Sequence, residues 1–345
     1  MAKKRFFVTG ASGFVGMEMV KRLVENNHEV LAADLEGTDG GRFKKMGVEF
    51  VPVDVTRKST LERAMKDVDI VMHIAAVFDI SAPWEVVKSV NVQGTRNVAE
   101  AAASGGVDRL VYFSSADVYG DPSELPATET CKIRPNHDYG ESKFQGEREA
   151  LRVAREADFS VTILRPAAQY GPGGTYGMMM LFQLLSRGLL PGIPGDGRTM
   201  IHLVHIADLV GAAEFLALRK DAAGKVYNLA DDTPMPLREM LEIAAEALEV
   251  RLPRAPLPRV ALEAAVPLAE AVAGLTKTKP ILKADLLSLL LSNHIFDNTR
   301  MKKIGYKLRY PDVREGLRDT LRDFREGVLW NANRAFSNLL PAALR

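Results

Sequence analysis

Residues 5–16 read RFFVTGASGFVG, an apolar run that stops at Gly10 and is followed by Gly13 and Gly16. The next segment places Val20, Leu23 and Val24 on one helical face, and a second apolar run, His28 to Ala33, ends at Asp34. Strand, glycine turn, helix and strand in this order make the βαβ unit that takes up a dinucleotide. The first glycine makes the tight turn, the second admits a pyrophosphate to backbone amides, and the third lets helix and strand pack closely. The helix N-terminus adds a field that favours anions. Gly10, Gly13 and Gly16, with Phe14 and Val15 at the helix start, are therefore expected to hold a cofactor. Asp34 ends the second strand, where a carboxylate accepts bonds from adenosine ribose hydroxyls and repels a 2′-phosphate. Leu35 and Glu36 follow rather than a basic residue, which favours NAD over NADP. Arg42, Lys44 and Lys45 weaken that preference only if their loop folds back.

Outward from this unit the alternation continues. Further strands are predicted over residues 48–52, 69–74, 107–114, 159–164, 201–207 and 225–229, the last closing the main sheet. Helices are predicted near 58–65, 91–103, 139–157 and 209–218, the last N-capped by Asp208. This pattern predicts an α/β fold, a doubly wound parallel Rossmann sheet with its site beyond the strand C-termini. Asp54 and Val55 fall where an adenine edge would lie. Ile74, Ala75 and Ala76 follow the fourth strand and are small enough to admit a cofactor. His73, inside an apolar run, reads as a packed, hydrogen-bonded imidazole. Asn91 is expected to bond backbone near the strand ends and organise the central loop.

The stretch 113–143, FSSADVYGDPSELPATETCKIRPNHDYGESK, carries the candidate chemistry. A strand delivers Ser114 and Ser115 to its end, and a helix brings Tyr139 and Lys143, four apart, onto one face. A hydroxyl, a phenol and an ammonium suit proton transfer at an alcohol oxygen, since a nearby ammonium favours the phenolate. Tyr and Lys at this spacing also occur as a simple exposed pair, so the chemistry rests on the surrounding pattern.

Composition narrows the field. The 345 residues carry 45 Lys+Arg against 44 Asp+Glu, a net charge of +1 that favours no nucleic-acid partner. One cysteine, Cys131, excludes an internal disulfide and a thiolate metal cluster. The six histidines lack ligand spacing, so no metal is expected. With no signal-like N-terminus and no long uncharged apolar run, a cytoplasmic enzyme is the expectation.

The pattern changes after Gly171. Residues 176–190 form an apolar helix candidate whose Met178, Met179 and Met180 suit either core filling or a lid over an apolar ligand. Residues 236–250 and 311–330 read as amphipathic helices, the second with Leu317, Leu321, Phe324 and Val328 inward. Residues 292–300 read as an extended link. Between them, 253–294 is apolar with few charges. It suits a substrate pocket or core best; an oligomer contact, as in a homodimer, is compatible with it, and a peripheral membrane contact through 257–291 is compatible but not predicted. The division expected is a dinucleotide-binding domain over 1–172 with sheet additions from about 200–230. A lobe follows over 173–200 and 231–330, with a tail or surface helix over 331–345.

The ordered set TGASGFVG, Asp34, Asp54-Val55, HIAA, NVQGT, FSSADVYG, YGESK, LRPAAQYGPG and IHLVHIADL resembles the extended short-chain dehydrogenase/reductase family over residues 5–230. The resemblance implies a nicotinamide cofactor and a small, mainly helical C-terminal substrate lobe. It implies that Ser115, Tyr139 and Lys143 are the catalytic trio, with Ser115 on the substrate oxygen, Tyr139 moving the proton and Lys143 binding the nicotinamide ribose. It also places Asn91, Ser114, Tyr139, Lys143, Pro166 and Gln169 among the cofactor-binding residues. Members acting on nucleotide sugars usually carry Asn and Arg where this chain has Ala168 and Met200, and Phe where it has His202. Losing an amide and a guanidinium weakens a diphosphate clamp, although Arg198 stands nearby. LRPAAQYGPG is instead similar to the 3β-hydroxysteroid and sterol dehydrogenase branch. The resemblance thus points to an apolar small-molecule alcohol or ketone, with a nucleotide-sugar epimerase or dehydratase as the alternative. A binding protein that has lost its chemistry would lack Tyr139 or Lys143, and a flavonoid-type NADPH reductase is disfavoured by Asp34.

Overall fold

The computed structural model describes residues 3–78, 82–174, 177–276, 287 and 290–325. Seven strands form one sheet: β1 Arg5–Thr9, β2 Glu29–Asp34, β3 Glu49–Pro52, β4 Ile70–His73, β5 Arg109–Phe113, β6 Val161–Pro166 and β7 Val226–Leu229. They lie in the order β7-β6-β5-β4-β1-β2-β3, and every neighbouring pair is parallel. Helices connect them and cover both faces, which is why β4 and β5 are buried along their whole length and read as apolar runs rather than alternating ones. The chain leaves β1 toward β2 and β3, then returns to the other side of β1 as β4. The C-terminal ends of β1 and β4, where Thr9 pairs with His73, therefore form the topological switch point.

Two compact units are present. The first comprises Met1–Ala167, Ile206–Leu229 and Asp297–Arg309; the second comprises Ala168–His205, Ala230–Phe296 and Tyr310–Arg345. The first holds the sheet. The return segment is anchored to it by three hydrogen bonds of 2.9 Å: Asp297 N–H to the Ala127 carbonyl, Arg300 Nη1 to the Val226 carbonyl, and the Tyr306 hydroxyl to the Asp208 carbonyl. Residues 299–303 are accordingly a short helix, where an extended link was expected through Arg300. A second difference concerns Asp208. The helix starts at Ile206, so Asp208 sits in its first turn and is not the N-cap. Its carboxylate instead accepts the Arg309 N–H at 2.6 Å, a tertiary bond that local capping preferences do not anticipate.

The second unit packs helices Met178–Ser186, Leu237–Leu248 and Val313–Arg325 around one apolar core. Met178 and Met179 are 3% and 0% exposed there, so they fill core. Leu317, Leu321 and Phe324 are buried as their spacing predicts, while Val328 and residues 334–345 lie outside the described residues. His202 splits the strand expected over 201–207 into Met200–Ile201 and Leu203–His205. Its imidazole is buried, with Nε2 2.9 Å from the Asp231 carbonyl and Nδ1 accepting the Phe296 N–H at 3.0 Å. The apolar helix Arg259–Thr276 leaves Val260 and Leu275 largely exposed, whereas residues 277–286, 288 and 289 lie outside the described residues. No helix among the described residues is long and apolar enough to cross a membrane.

Candidate active site

The glycine turn joins β1 to the helix Phe14–Glu25. Gly10 has φ +67°, and a Cβ there would lie 2.8 Å from backbone atoms of Ala75. A Cβ on Gly16 would lie 2.1 Å from the Gly10 carbonyl oxygen, so only glycine lets the helix start this close to the turn. The turn, the exposed Gly13 and the half-buried Phe14 and Val15 leave amides of a helix N-terminus beside the strand ends, a cradle that fits a pyrophosphate. At the end of β2, Asp34 Oδ2 accepts the Ser12 N–H at 2.8 Å and the Ser12 hydroxyl at 2.5 Å, and Oδ1 accepts the Leu35 N–H at 2.8 Å. A carboxylate has about four acceptor directions, so capacity remains on Oδ1 for a ribose hydroxyl. The loop carrying Arg42 does fold back: Arg42 Nη2 donates to the Ser12 carbonyl at 3.3 Å. Its contact is with the turn backbone, and Asp34 remains the side chain bonded to Ser12 Oγ.

His73 has no solvent exposure. Its Nδ1 is 2.8 Å from the Thr9 hydroxyl and its Nε2 is 3.0 Å from the Thr95 hydroxyl, so it links β1, β4 and the helix Gly94–Ser104. Burial, with the nearby Lys143 charge, pushes it down to about 3, and the imidazole is neutral. Beyond it lie half-buried Ile74, Ala75 and Ala76, the first two donating backbone N–H to Thr9 Oγ1. Asp54 Oδ1 caps its own turn by accepting the Thr56 N–H at 2.9 Å, and Val55 is buried with its carbonyl on Asn97 Nδ2. Asn91 bonds backbone as expected: Oδ1 accepts the Val77 N–H at 2.7 Å, and Nδ2 donates to the Val77 carbonyl and, at 2.9 Å, to the Ser142 hydroxyl. Ser142 lies on the helix Asp138–Glu156 that carries Tyr139 and Lys143.

That helix is capped by His137, whose Nδ1 accepts the Gly140 N–H at 3.1 Å. Histidine is a rare cap, and nothing in the sequence singles it out. Tyr139 is half-buried, with the Phe78 ring edge-on at 4.7 Å. Lys143 is 2% exposed, and its Nζ lies 4.5 Å from the centre of the Tyr112 ring. Burial drives Lys143 down to about 7 against the raising effect of Glu147. Burial and then Asp117 raise the Tyr139 phenol, while a hydrogen bond with Ser115 lowers it. This corrects the expectation that the ammonium leaves Tyr139 more acidic than usual: desolvation outweighs it, and the Lys143 ammonium sits over Tyr112. Ser115 Oγ accepts the Asp117 N–H at 3.2 Å, at the strand end that faces the start of the Tyr139 helix.

Ser114 is placed differently from its neighbour. Its hydroxyl donates to Glu147 Oε1 at 2.5 Å, so this side chain is engaged with the buried interior. Glu147 is held by Arg165 of β6 through Nε at 2.8 Å and Nη2 at 2.6 Å. Sequence reading passed over this pair because its members are 18 residues apart. The i+4 spacing of Lys143 and Glu147 was the available signal. Pro166 is buried at the end of β6, and Gln169 lies in the short strand Ala168–Tyr170 of the second unit.

Residues 6–230 match the NAD dependent epimerase/dehydratase family. A putative UDP-glucose 4-epimerase of Methanocaldococcus jannaschii is 31% identical over 254 residues, 71% of this chain and 82% of its own length. The 3beta-hydroxysteroid-dehydrogenase/decarboxylase isoform 1 of Arabidopsis thaliana is 28% identical over 346 residues, 92% of this chain and 79% of its own. Among solved structures, MoeE5 in complex with UDP-glucose and NAD aligns with a TM-score of 0.75 at 25% identity, covering 94% of this chain and 99% of that one. The chain belongs to the NAD dependent epimerase/dehydratase family and is an NAD-dependent enzyme of the extended short-chain dehydrogenase/reductase class.

Proposed function

We propose that this enzyme interconverts a secondary alcohol and a ketone on a bulky apolar, sterol-like substrate, with Tyr139 as the general acid/base. The observation that carries the chemistry is the helix face that holds a half-buried Tyr139 and a buried Lys143, with Ser115 buried at the end of the preceding strand. Bound NAD supplies the hydride acceptor. Ser115 holds the substrate oxygen by a hydrogen bond as its charge changes. The raised phenol keeps Tyr139 protonated at neutral pH, ready to protonate a ketone oxygen. Oxidation needs the phenolate, so the Tyr139 proton has to leave against the effect of burial. Gly10, Gly13 and Gly16 hold the pyrophosphate and Asp34 the adenosine ribose.

The substrate class is supported by what has become of the diphosphate clamp. Ala168 and Met200 offer no charge. Arg198, the sequence's nearest replacement, has a side chain 90% exposed and ion-paired with Asp196 at 3.6 Å. Similarity along 92% of the chain to a 3β-hydroxysteroid dehydrogenase/decarboxylase supports the same reading. A nucleotide-sugar epimerase is the second reading, favoured by the 31% identity to a putative UDP-glucose 4-epimerase. A panel of 3β-hydroxysterols, other bulky secondary alcohols and UDP-sugars, followed by NADH fluorescence and product analysis, separates the two. Alcohol-dependent NADH formation is expected, and epimerisation of a UDP-sugar with no NADH released overturns the proposal. Tyr139→Phe should lower turnover by about 10²–10⁴-fold and leave NAD binding within roughly threefold, because only the proton-bearing group is lost.

A further inference from the structure

Behind the Tyr139–Lys143 face lies a charged network that the proposed chemistry does not use. Glu147 and Arg165 have side chains only 3% and 6% exposed and form a two-pronged ion pair. The remaining capacity of the pair is also engaged. Ser114 donates to Glu147 Oε1 at 2.5 Å, Arg165 Nη1 donates to the Tyr119 hydroxyl at 2.9 Å, and Tyr119 donates to Asn228 Oδ1 at 2.7 Å. Removing two charges from water is costly, and apolar side chains of the same volume often serve stability as well or better. The placement suggests another use. Glu147 stands one helical turn after Lys143 on the same face, Ser114 immediately precedes Ser115, and Arg165 is the penultimate residue of β6.

We propose that Glu147, locked by Arg165 and Ser114, is a positioning residue for the Tyr139–Lys143–Ser115 group: its carboxylate supplies the negative charge that keeps the buried Lys143 ammonium protonated while fixing the strand end that presents Ser115. The inference rests on the acid/base reading of Tyr139 and Lys143. The described ring groups around Lys143 are neutral. His73, from β4, is a neutral imidazole held between two threonine hydroxyls. Tyr112, from β5, presents its ring to Nζ, and its phenol, raised by burial, donates to the Lys143 carbonyl at 3.3 Å. Tyr139, on the same helix, is raised by burial and stays neutral. Glu147, four residues on along the same helix, is a carboxylate whose charge acts on Lys143 against the effect of burial. Arg165 keeps that carboxylate ionised in a dry setting, and Ser114 and Tyr119 hold the two partners in register.

The test is a titration of the Lys143 side chain by NMR in full-length protein carrying ¹³C-labelled lysine, with and without NAD, the resonance assigned through Lys143→Met. It needs no substrate, so its outcome is independent of the substrate panel and of Tyr139→Phe. Glu147→Gln should move the Lys143 midpoint down by roughly one pH unit or more. Glu147→Gln/Arg165→Met, which leaves no unpaired buried charge, should move it down by less, and Glu147→Asp should hold it near wild type. Should the single variant fail to fold, the double variant alone decides. A Lys143 midpoint that is unchanged or higher in folded protein lacking Glu147 overturns the proposal, and a fall in thermal stability alone, with the midpoint unmoved, does the same.

Discussion

Lys143, the proposed partner of Tyr139, works against stability. Its ammonium is buried, so its folded pKa of about 7 lies below the ordinary lysine value of 10.5. Between those values the unfolded chain binds more protons than the folded one, and stability therefore rises with pH. The penalty is full below about pH 7 and gone above about 10.5. Lys143→Met should accordingly raise the melting temperature of cofactor-free protein at pH 6 by about 2 °C or more, with the gain vanishing by pH 10 in a calorimetric series. No gain at pH 6 would mean the charge is solvated in the native state. Asp34 makes a second prediction at this scale. Asp34→Ala removes a charged acceptor that also holds Ser12, so NAD binding, read by fluorescence titration, should weaken roughly 10–100-fold. Unchanged NAD affinity together with tight NADP binding would assign the discrimination to Arg42 instead.

Elements are held in place here by close approach as much as by apolar burial. The helix Asp138–Glu156 meets β5 at Gly146, where an added Cβ would lie 2.3 Å from the Tyr112 hydroxyl and 2.9 Å from the Asn91 carbonyl. Gly146→Ala should destabilise the fold by about 1–3 kcal/mol, measured by denaturant unfolding. Gly146→Ala/Tyr112→Phe should recover part of the loss, because it removes the hydroxyl that the new methyl strikes. The helix itself was legible from its amphipathic spacing, and the strands from their apolar runs. The junctions were less so. The break at His202 and the Asp208 bond at the start of the Ile206 helix each depend on a partner far along the chain. Propensity sums over neighbours, and these contacts are not between neighbours.

At the scale of the molecule, the return segment Asp297–Arg309 shows how a late stretch of chain can belong to the first unit. Arg300 donates to the Val226 carbonyl and stands 3.6 Å from Glu129, and Glu129 in turn accepts the Asn228 N–H at 3.0 Å. Arg300→Ala should lower stability by about 1.5–3 kcal/mol, seen as a shift of the urea midpoint without a change in slope. The sequence by itself determined the parallel sheet, the glycine cradle, the acid at the end of β2 and the Tyr139–Lys143 face. Each of these is written in short-range periodicity or a motif of fixed spacing, which local sterics and hydrogen bonding translate directly into structure. Tertiary structure alone decided that Ser114 turns away from its neighbour to Glu147, that Arg165 closes on the same carboxylate, and that burial sets the charge of Lys143 and Tyr139. Those outcomes depend on which groups from distant segments meet in a dry interior, where the cost of desolvation and the value of each partner are set by the assembled fold.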